Sequence, residues 1–307
     1  MTLANRLVLA TLPLIPRRAL WLVAQRYVAG DDLPAAIDAI RRLSGEGFGT
    51  IIDVLGENIS STAEAEAAAR EYHRALGALA GVDPGCVLSV KPTHLGLLLD
   101  PGLCERLLSD LCAAAAAEGR RVRFEMEDAP TVDATLAVFS SARRRHANLG
   151  CVLQSRLHRT EADVATLLAG GPGLDVRLVK GIYVEPAAIA WTEPADIAAS
   201  YVRLARALMD GGASLALATH DQVMARELLA LVRERGLDRG DARQRRYAFE
   251  CLMGVRREFA EQMRDAGHHV RIYVPYGRDW HAYSLRRLKR NPAIAMHVTR
   301  ALFGRGG

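Results

Sequence analysis

Cysteine is scarce and badly spaced for chemistry. Cys86, Cys104, Cys112, Cys151 and Cys251 are odd in number and lack CxxC spacing, which argues against a disulfide framework or a zinc site and suggests buried thiols. Long apolar runs are also missing. Leu7 to Ile15 is broken by Pro13 and stopped by Pro16, well short of the roughly 20 residues a membrane-spanning helix needs. Arg6 gives that stretch a faint signal-peptide look, but Pro16, Arg17 and Arg18 stand where a small-residue cleavage site belongs, so a cytoplasmic location is expected. There is no glycine-rich GxGxxG turn, helix-turn-helix, zinc finger or aromatic RNA-binding motif. The net charge of +5 therefore suits an anionic substrate, an anionic cofactor or a membrane surface, and no nucleic-acid partner is expected.

What remains is an ordinary globular composition, 50% hydrophobic and 24% charged over 307 residues, long enough to bury a substantial core. Helical and extended patterns alternate along it. Helical spacing at Leu33 to Leu43 precedes a strand at Thr50 to Leu55. Ala63 to Leu79 precedes Cys86 to Val90, Leu103 to Ala117 precedes Arg121 to Met126, and Val132 to Arg145 precedes Gly150 to Leu153. Glu161 to Leu168 then leads to Asp175–Val179, Ile197 to Met209 to Ser214–Ala218, Gln222 to Arg235 to Tyr247 to Cys251, and Val255 to Ala266 to Val270 to Val274. Strands separated by helices pair in parallel through right-handed crossovers, and this many units at this length favour a closed (β/α)8 barrel of the TIM type. The rival is a doubly wound open sheet, which usually carries the missing glycine-rich turn when it binds a dinucleotide. Residues 1–30 are expected to form an N-terminal helical segment and residues 31–307 the barrel, with a last helix from Arg278 to Arg290 near its mouth.

Catalytic groups of such barrels project from the carboxyl ends of the strands. Polar residues recur there: Glu57 after strand one, Lys91 at strand two, Glu125 at strand three, Gln154 at four, Lys180 at five, Thr219 and His220 at six and Tyr273 at eight. Any one alone is better read structurally, as a cap, a satisfied core histidine or a local ion pair. Together they converge on one mouth and form a ligand site. Arg286 and Arg287 sit side by side on the last helix. Guanidinium forks match carboxylates bidentately, so the pair suggests an amino acid or another small carboxylic acid, against the blander reading of a solvated basic face.

The run Arg271-Ile-Tyr-Val-Pro-Tyr-Gly, followed by Trp280, Tyr283, Arg286-Arg-Leu and Asn291-Pro, resembles the C-terminal signature of proline dehydrogenases. Leu55-Gly-Glu57, Lys91, Phe124-Glu-Met-Glu-Asp128, Gln154, Arg177-Leu-Val-Lys-Gly181, Ala218-Thr-His220 and Tyr247-Ala-Phe-Glu-Cys-Leu252 follow that family's order and spacing from about Gly30 to the end. The resemblance implies a distorted (β/α)8 barrel with FAD in its mouth. It also implies oxidation of L-proline to 1-pyrroline-5-carboxylate, with a membrane quinone as electron acceptor. Carried over by position, Arg286, Arg287 and Lys91 would hold the substrate carboxylate, Tyr273, Tyr283 and Leu252 would pack its ring, and Glu57 would pair with Arg287. Arg177 would lie near flavin N5 and Gln154 at the pyrimidine edge, with Val179, Lys180, Gly181, Ile182, Tyr183, Thr219 and His220 also lining the cofactor.

Four positions depart from the pattern. Glu125 stands where the family has aspartate and must either retract or crowd the substrate. Ile182 replaces a small alanine, Arg290 a glutamate, and Asp221 a common asparagine. These changes leave open a modified proline, another imino acid or a nitrogen-rich metabolite as substrate. Two readings from other classes also stand: a barrel that only binds or senses an amino acid, and a lyase using Lys180 as a Schiff-base nucleophile. Near the start, Arg17, Arg18 and Arg26 beside Leu20, Trp21, Leu22 and Val23 could offer an amphipathic surface for peripheral membrane contact, with plain capping of the barrel as the competing expectation.

Overall fold

A computed structural model describes residues 17–290, apart from the side chains of residues 18, 19, 23 and 286–290. Eight parallel strands close into a barrel in sequential order. They are β1 (Gly49–Val54), β2 (Val87–Val90), β3 (Val122–Phe124), β4 (Leu149–Gln154), β5 (Asp175–Val179), β6 (Ser214–Ala218), β7 (Tyr247–Leu252) and β8 (Val270–Tyr276). Closure is made by β1 against β8, in register from Gly49 opposite Arg271 to Val54 opposite Tyr276. Helix α1 (Arg17–Ala24) precedes α2 (Leu33–Gly45), and α3 (Thr62–Ala78), α4 (Pro101–Ala117), α5 (Val132–Arg143) and α6 (Thr160–Ala169) follow the first four strands. After β5, β6, β7 and β8 come α7 (Pro194–Asp210), α8 (Gln222–Glu234), α9 (Arg257–Asp265) and α10 (Trp280–Arg290).

The expected elements are present, with shifted edges. The third strand stops at Phe124, because the chain leaves the sheet after the Glu125 N–H donates to the Val90 carbonyl and Glu127 accepts the Thr93 N–H and hydroxyl, both at 2.8 Å. The ninth helical segment starts at Arg257, not Val255, because Gly254 and Arg256 both have positive φ, +72° and +43°. The last helix begins at Trp280. Local caps explain several helix starts. Asp32 accepts from Ala35 N–H, Ser61 from Glu64 N–H, and Asp221 from Val223 and Met224 N–H.

Alternation along the strands separates two environments. Ile52, Val54, Leu88, Val90, Phe124, Cys151, Leu153, Val176, Leu178, Leu215, Leu217, Phe249, Cys251, Ile272 and Val274 belong to the apolar layer shared with the surrounding helices. The residues between them turn into the barrel, and many are polar. All five cysteines are free and buried. The segment before α2 is stitched to the carboxyl end of β8: Ala29 N–H donates to Pro275 at 2.9 Å, and Gly277 N–H to Gly30 at 3.1 Å. Trp21 of α1 meets Trp280 of α10 edge-on at 4.6 Å between ring centroids, so α1 rests on the helix that follows β8.

Candidate active site

Hydrogen bonds between strands that are not neighbours must run through the barrel interior, and several do. On the side where the strands begin, Arg123 of β3 donates to Asp175 of β5 at 2.8 Å. One layer higher, Arg177 of β5 donates through Nε to Glu250 of β7 and through Nη1 to Glu125, just beyond β3. Arg271 of β8 approaches the other Glu250 oxygen at 3.5 Å. Higher still, the Ser89 hydroxyl of β2 meets the Glu125 carboxylate and lies 3.0 Å from the Tyr273 hydroxyl of β8. The Arg177 guanidinium lies over the Tyr273 ring, 5.2 Å from its centroid. A barrel interior is normally filled with branched apolar side chains, and here a polar column rises through it to the mouth.

At the mouth itself, Lys91 donates to Asp53 Oδ1 and to the Val54 carbonyl, the latter at 3.4 Å. Burial works against charge on Lys91, but the nearby Asp53 carboxylate, with Tyr72 and Glu125, holds its ammonium above the ordinary lysine range. For Asp53, burial pushes the carboxyl up against the pull of Lys91. Behind this pair, Tyr72 accepts the Lys91 N–H at 3.3 Å, and its hydroxyl lies 3.2 Å from His94 Nδ1. Burial pushes His94 down to about 4. Burial likewise raises Glu127, beside which Glu57 adds like charge.

The cofactor-side candidates gather at the ends of β4, β5 and β6. Gln154 is buried and donates to the Glu127 carbonyl at 2.7 Å. Gly181 has φ +94°, and a Cβ there would stand 2.8 Å from Gln154 Oε1, so the chain leaving β5 needs glycine to pass. Val179 and Tyr183 are half-buried, whereas Ile182 is 61% exposed. Arg156 donates to the Tyr183 carbonyl at 2.8 Å, which ties that loop back to β4. Lys180 is paired with Asp221 at 2.9 Å. Thr219 is buried and accepts the Asp221 N–H at 3.0 Å. His220 accepts the Leu252 N–H at Nε2 over 3.0 Å, which places a proton on Nδ1 in the neutral ring.

Glu125 thus turns back to Ser89 and Arg177. Tyr283 is half-buried on α10. Arg286, Arg287 and Arg290 have side chains outside the described residues, and so does the expected pairing of Glu57 with Arg287. Asp53, Ser89 and Glu250 join the site although they do not stand at strand ends. Each sits inside a strand that otherwise reads as apolar, and a polar residue at an inward position of such a strand was the available signal.

A parallel eight-stranded barrel with a polar interior that opens at the carboxyl ends of its strands defines the class of barrel enzymes acting on small molecules. Residues 36–300 match the family model described as proline dehydrogenase, and the chain belongs to that family. Among its relatives, the proline dehydrogenase of Deinococcus radiodurans is 33% identical over 295 residues, covering 94% of this chain and 92% of that protein. Proline dehydrogenase 1 of Bacillus subtilis (strain 168) is 32% identical over 279 residues, covering 91% and 90%. In fold, the chain is similar to proline utilization A (PutA) from Bdellovibrio bacteriovorus, solved after inactivation by N-propargylglycine, with a TM-score of 0.79 at 20% identity. That match covers 93% of this chain and 34% of the other, so the chain spans about a third of its length.

Proposed function

We propose that the chain is a flavin-dependent proline dehydrogenase, with FAD as cofactor, that oxidises L-proline to 1-pyrroline-5-carboxylate as the first step of proline catabolism. The observation that carries this reading is the polar column ending at Lys91, Asp53, Ser89, Glu125 and Tyr273 in the mouth of a barrel bearing the family's signature. The residues fit a flavin. Arg177 Nη2 is buried without a hydrogen-bond partner, a donor suited to an electron-rich ring edge, and the exposed Ile182 and Val184 in the segment after β5 offer apolar surface for a large planar group to cover. Gln154, Arg177, Val179, Lys180, Gly181, Tyr183, Thr219 and His220 are the residues that would hold it.

When bound, the flavin supplies a two-electron acceptor for hydride. The chain's own residues bind and orient the substrate. Proline loses hydride from C5 and a proton from nitrogen as the carbon–nitrogen double bond forms, so it must enter with its nitrogen lone pair free and C5 correctly placed. Lys91 keeps its positive charge through Asp53 and, with Arg286 and Arg287 of the signature, holds the carboxylate. Tyr273 is fixed through Ser89 and packs against the pyrrolidine ring together with Tyr283 and Leu252. A quinone takes the electrons onward. No helix among the described residues is long and apolar enough to cross a membrane, and contact with the quinone's membrane is peripheral in this reading, with α1 and its exposed Leu22 as the surface.

Purified protein should show an oxidised-flavin absorption band that bleaches on anaerobic addition of L-proline. Flavin that bleaches only with other cyclic imino acids would move the substrate to a relative of proline. No flavin after reconstitution would overturn the proposal.

A further inference from the structure

Glu250 lies in the middle of β7, and its two carboxylate oxygens face two different arginines. Oε2 accepts from Arg177 Nε, and Oε1 lies 3.5 Å from Arg271 Nη1. Arg177 is itself held by two carboxylates from opposite sides of the barrel, Glu250 and Glu125. Of the three Arg177 nitrogens, this leaves Nη2 buried and without a partner. The side chains of Arg177 and Glu250 are 5% and 2% exposed, so neither pair is screened by solvent as a surface pair would be.

We propose that Glu250 is a positioning residue for Arg177, fixing how its guanidinium is presented at the mouth and lowering the reduction potential of the flavin by offsetting its positive charge. The inference rests on the flavin reading above. Two carboxylates on one guanidinium give the cluster a net negative charge, which Arg271 brings back to neutral from the far side of Glu250. Burial opposes ionisation of Glu250, but Arg177, Arg123 and Arg271 hold its carboxyl below the usual carboxylate range, so the charge is present at neutral pH. Reduction adds negative charge to a flavin, and a fixed charge in a poorly screened interior acts on that step directly. A lower potential makes the reduced cofactor a better donor for the electron transfer that completes turnover.

The experiment compares midpoint potentials of the flavin-loaded wild-type chain, Glu250→Gln and Arg271→Gln, by anaerobic reductive titration against reference dyes. Glu250→Gln keeps the shape of the side chain and removes its charge. It should shift the equilibrium about tenfold towards reduced flavin, a rise of about 30 mV for a two-electron couple. Arg271→Gln removes the charge that balances Glu250 and should shift the potential the opposite way. It also decides the question if Glu250→Gln fails to fold. A residue that merely supports the barrel would change stability in both variants and leave the potential alone, so flavin bound with an unchanged potential overturns the inference while the proposed function stands. A wild-type chain that takes up no flavin overturns both.

Discussion

Lys91 and Asp53 form an ion pair inside the barrel mouth, with side chains 14% and 1% exposed. Asp53 Oδ2 is already buried without a hydrogen bond, so this carboxylate depends chiefly on lysine for its compensation, with a smaller pull from Tyr273. Removing one partner of a buried pair typically costs about 3–5 kcal/mol, because the other charge is left in a poor solvent. Lys91→Met is therefore expected to destabilise the fold by about that much at neutral pH, and Asp53→Asn/Lys91→Met by clearly less than the sum of the single changes. Without lysine the carboxyl would take up a proton in the folded state more readily than in the unfolded chain, so the loss in Lys91→Met should shrink as pH falls. Urea unfolding of the four proteins at two pH values measures this. Additive losses would show that the two residues act separately.

Gly181 ties the end of β5 to Gln154. With φ +94° and a Cβ that would fall 2.8 Å from Gln154 Oε1 and 3.3 Å from Arg156 Cβ, alanine meets both backbone strain and a buried amide. Gly181→Ala is expected to cost about 1–3 kcal/mol and to weaken cofactor retention, because Gln154 cannot move without releasing the Glu127 carbonyl. Thermal unfolding with and without added flavin separates the two effects. A variant with wild-type stability and flavin affinity would show that the turn has room the geometry denies.

How legible the molecule was in its sequence differs between strand ends and strand middles. β5 and β6 match their expected bounds because their apolar runs are cut off by glycine, proline or polar residues at both ends. The local pattern makes β3 too long because Glu125 and Met126 continue it, and only the tertiary pull of Thr93 on Glu127 ends it. Lys91, Gln154 and Lys180 were visible because they stand just where apolar patterns stop. Asp53, Ser89 and Glu250 were not, since whether a mid-strand polar residue faces the lumen or the helices depends on closure and register, which local pattern does not specify. The partners were hidden for the same reason. No spacing reveals that Arg177 meets Glu250, 73 positions away.

Two half-buried histidines make stability fall in mild acid. Burial, with Lys91 nearby, pushes His94 down to about 4, and burial, with Arg271 nearby, does the same to His269. Unfolded histidine titrates near 6.5, so between these values the unfolded chain binds protons that the folded chain does not. Stability is then complete above about pH 6.5 and declines as pH falls towards 4. The decline is expected to be on the order of 2 kcal/mol per histidine between pH 7.5 and pH 5. Replacing both with glutamine should flatten the profile substantially, leaving the smaller slope from His146, His268 and His281, which are also lowered by burial. Denaturant midpoints across this range provide the check, and an unchanged slope in the double variant would assign the pH dependence to other groups.

Ser89 links the residue that would pack on proline to the carboxylate beside Arg177. Its single O–H donates to Glu125, a carboxylate that can only accept, so the Tyr273 hydroxyl, 3.0 Å away, must donate to Ser89. Tyr273 is thereby held by a chain of donors that ends on Glu125 and is anchored from the other side by Arg177. Ser89→Ala removes the middle of that chain and leaves the Tyr273 hydroxyl without this acceptor in a site where burial keeps the phenol protonated. The loss should be about 1–2 kcal/mol in substrate positioning, seen as a roughly tenfold rise in KM for proline with a much smaller fall in kcat. Ser89→Thr retains the hydroxyl on a strand that tolerates β-branching and should restore most of the affinity. If Ser89→Ala lowers kcat and leaves KM unchanged, Tyr273 acts on the chemical step and not on placement of the ring.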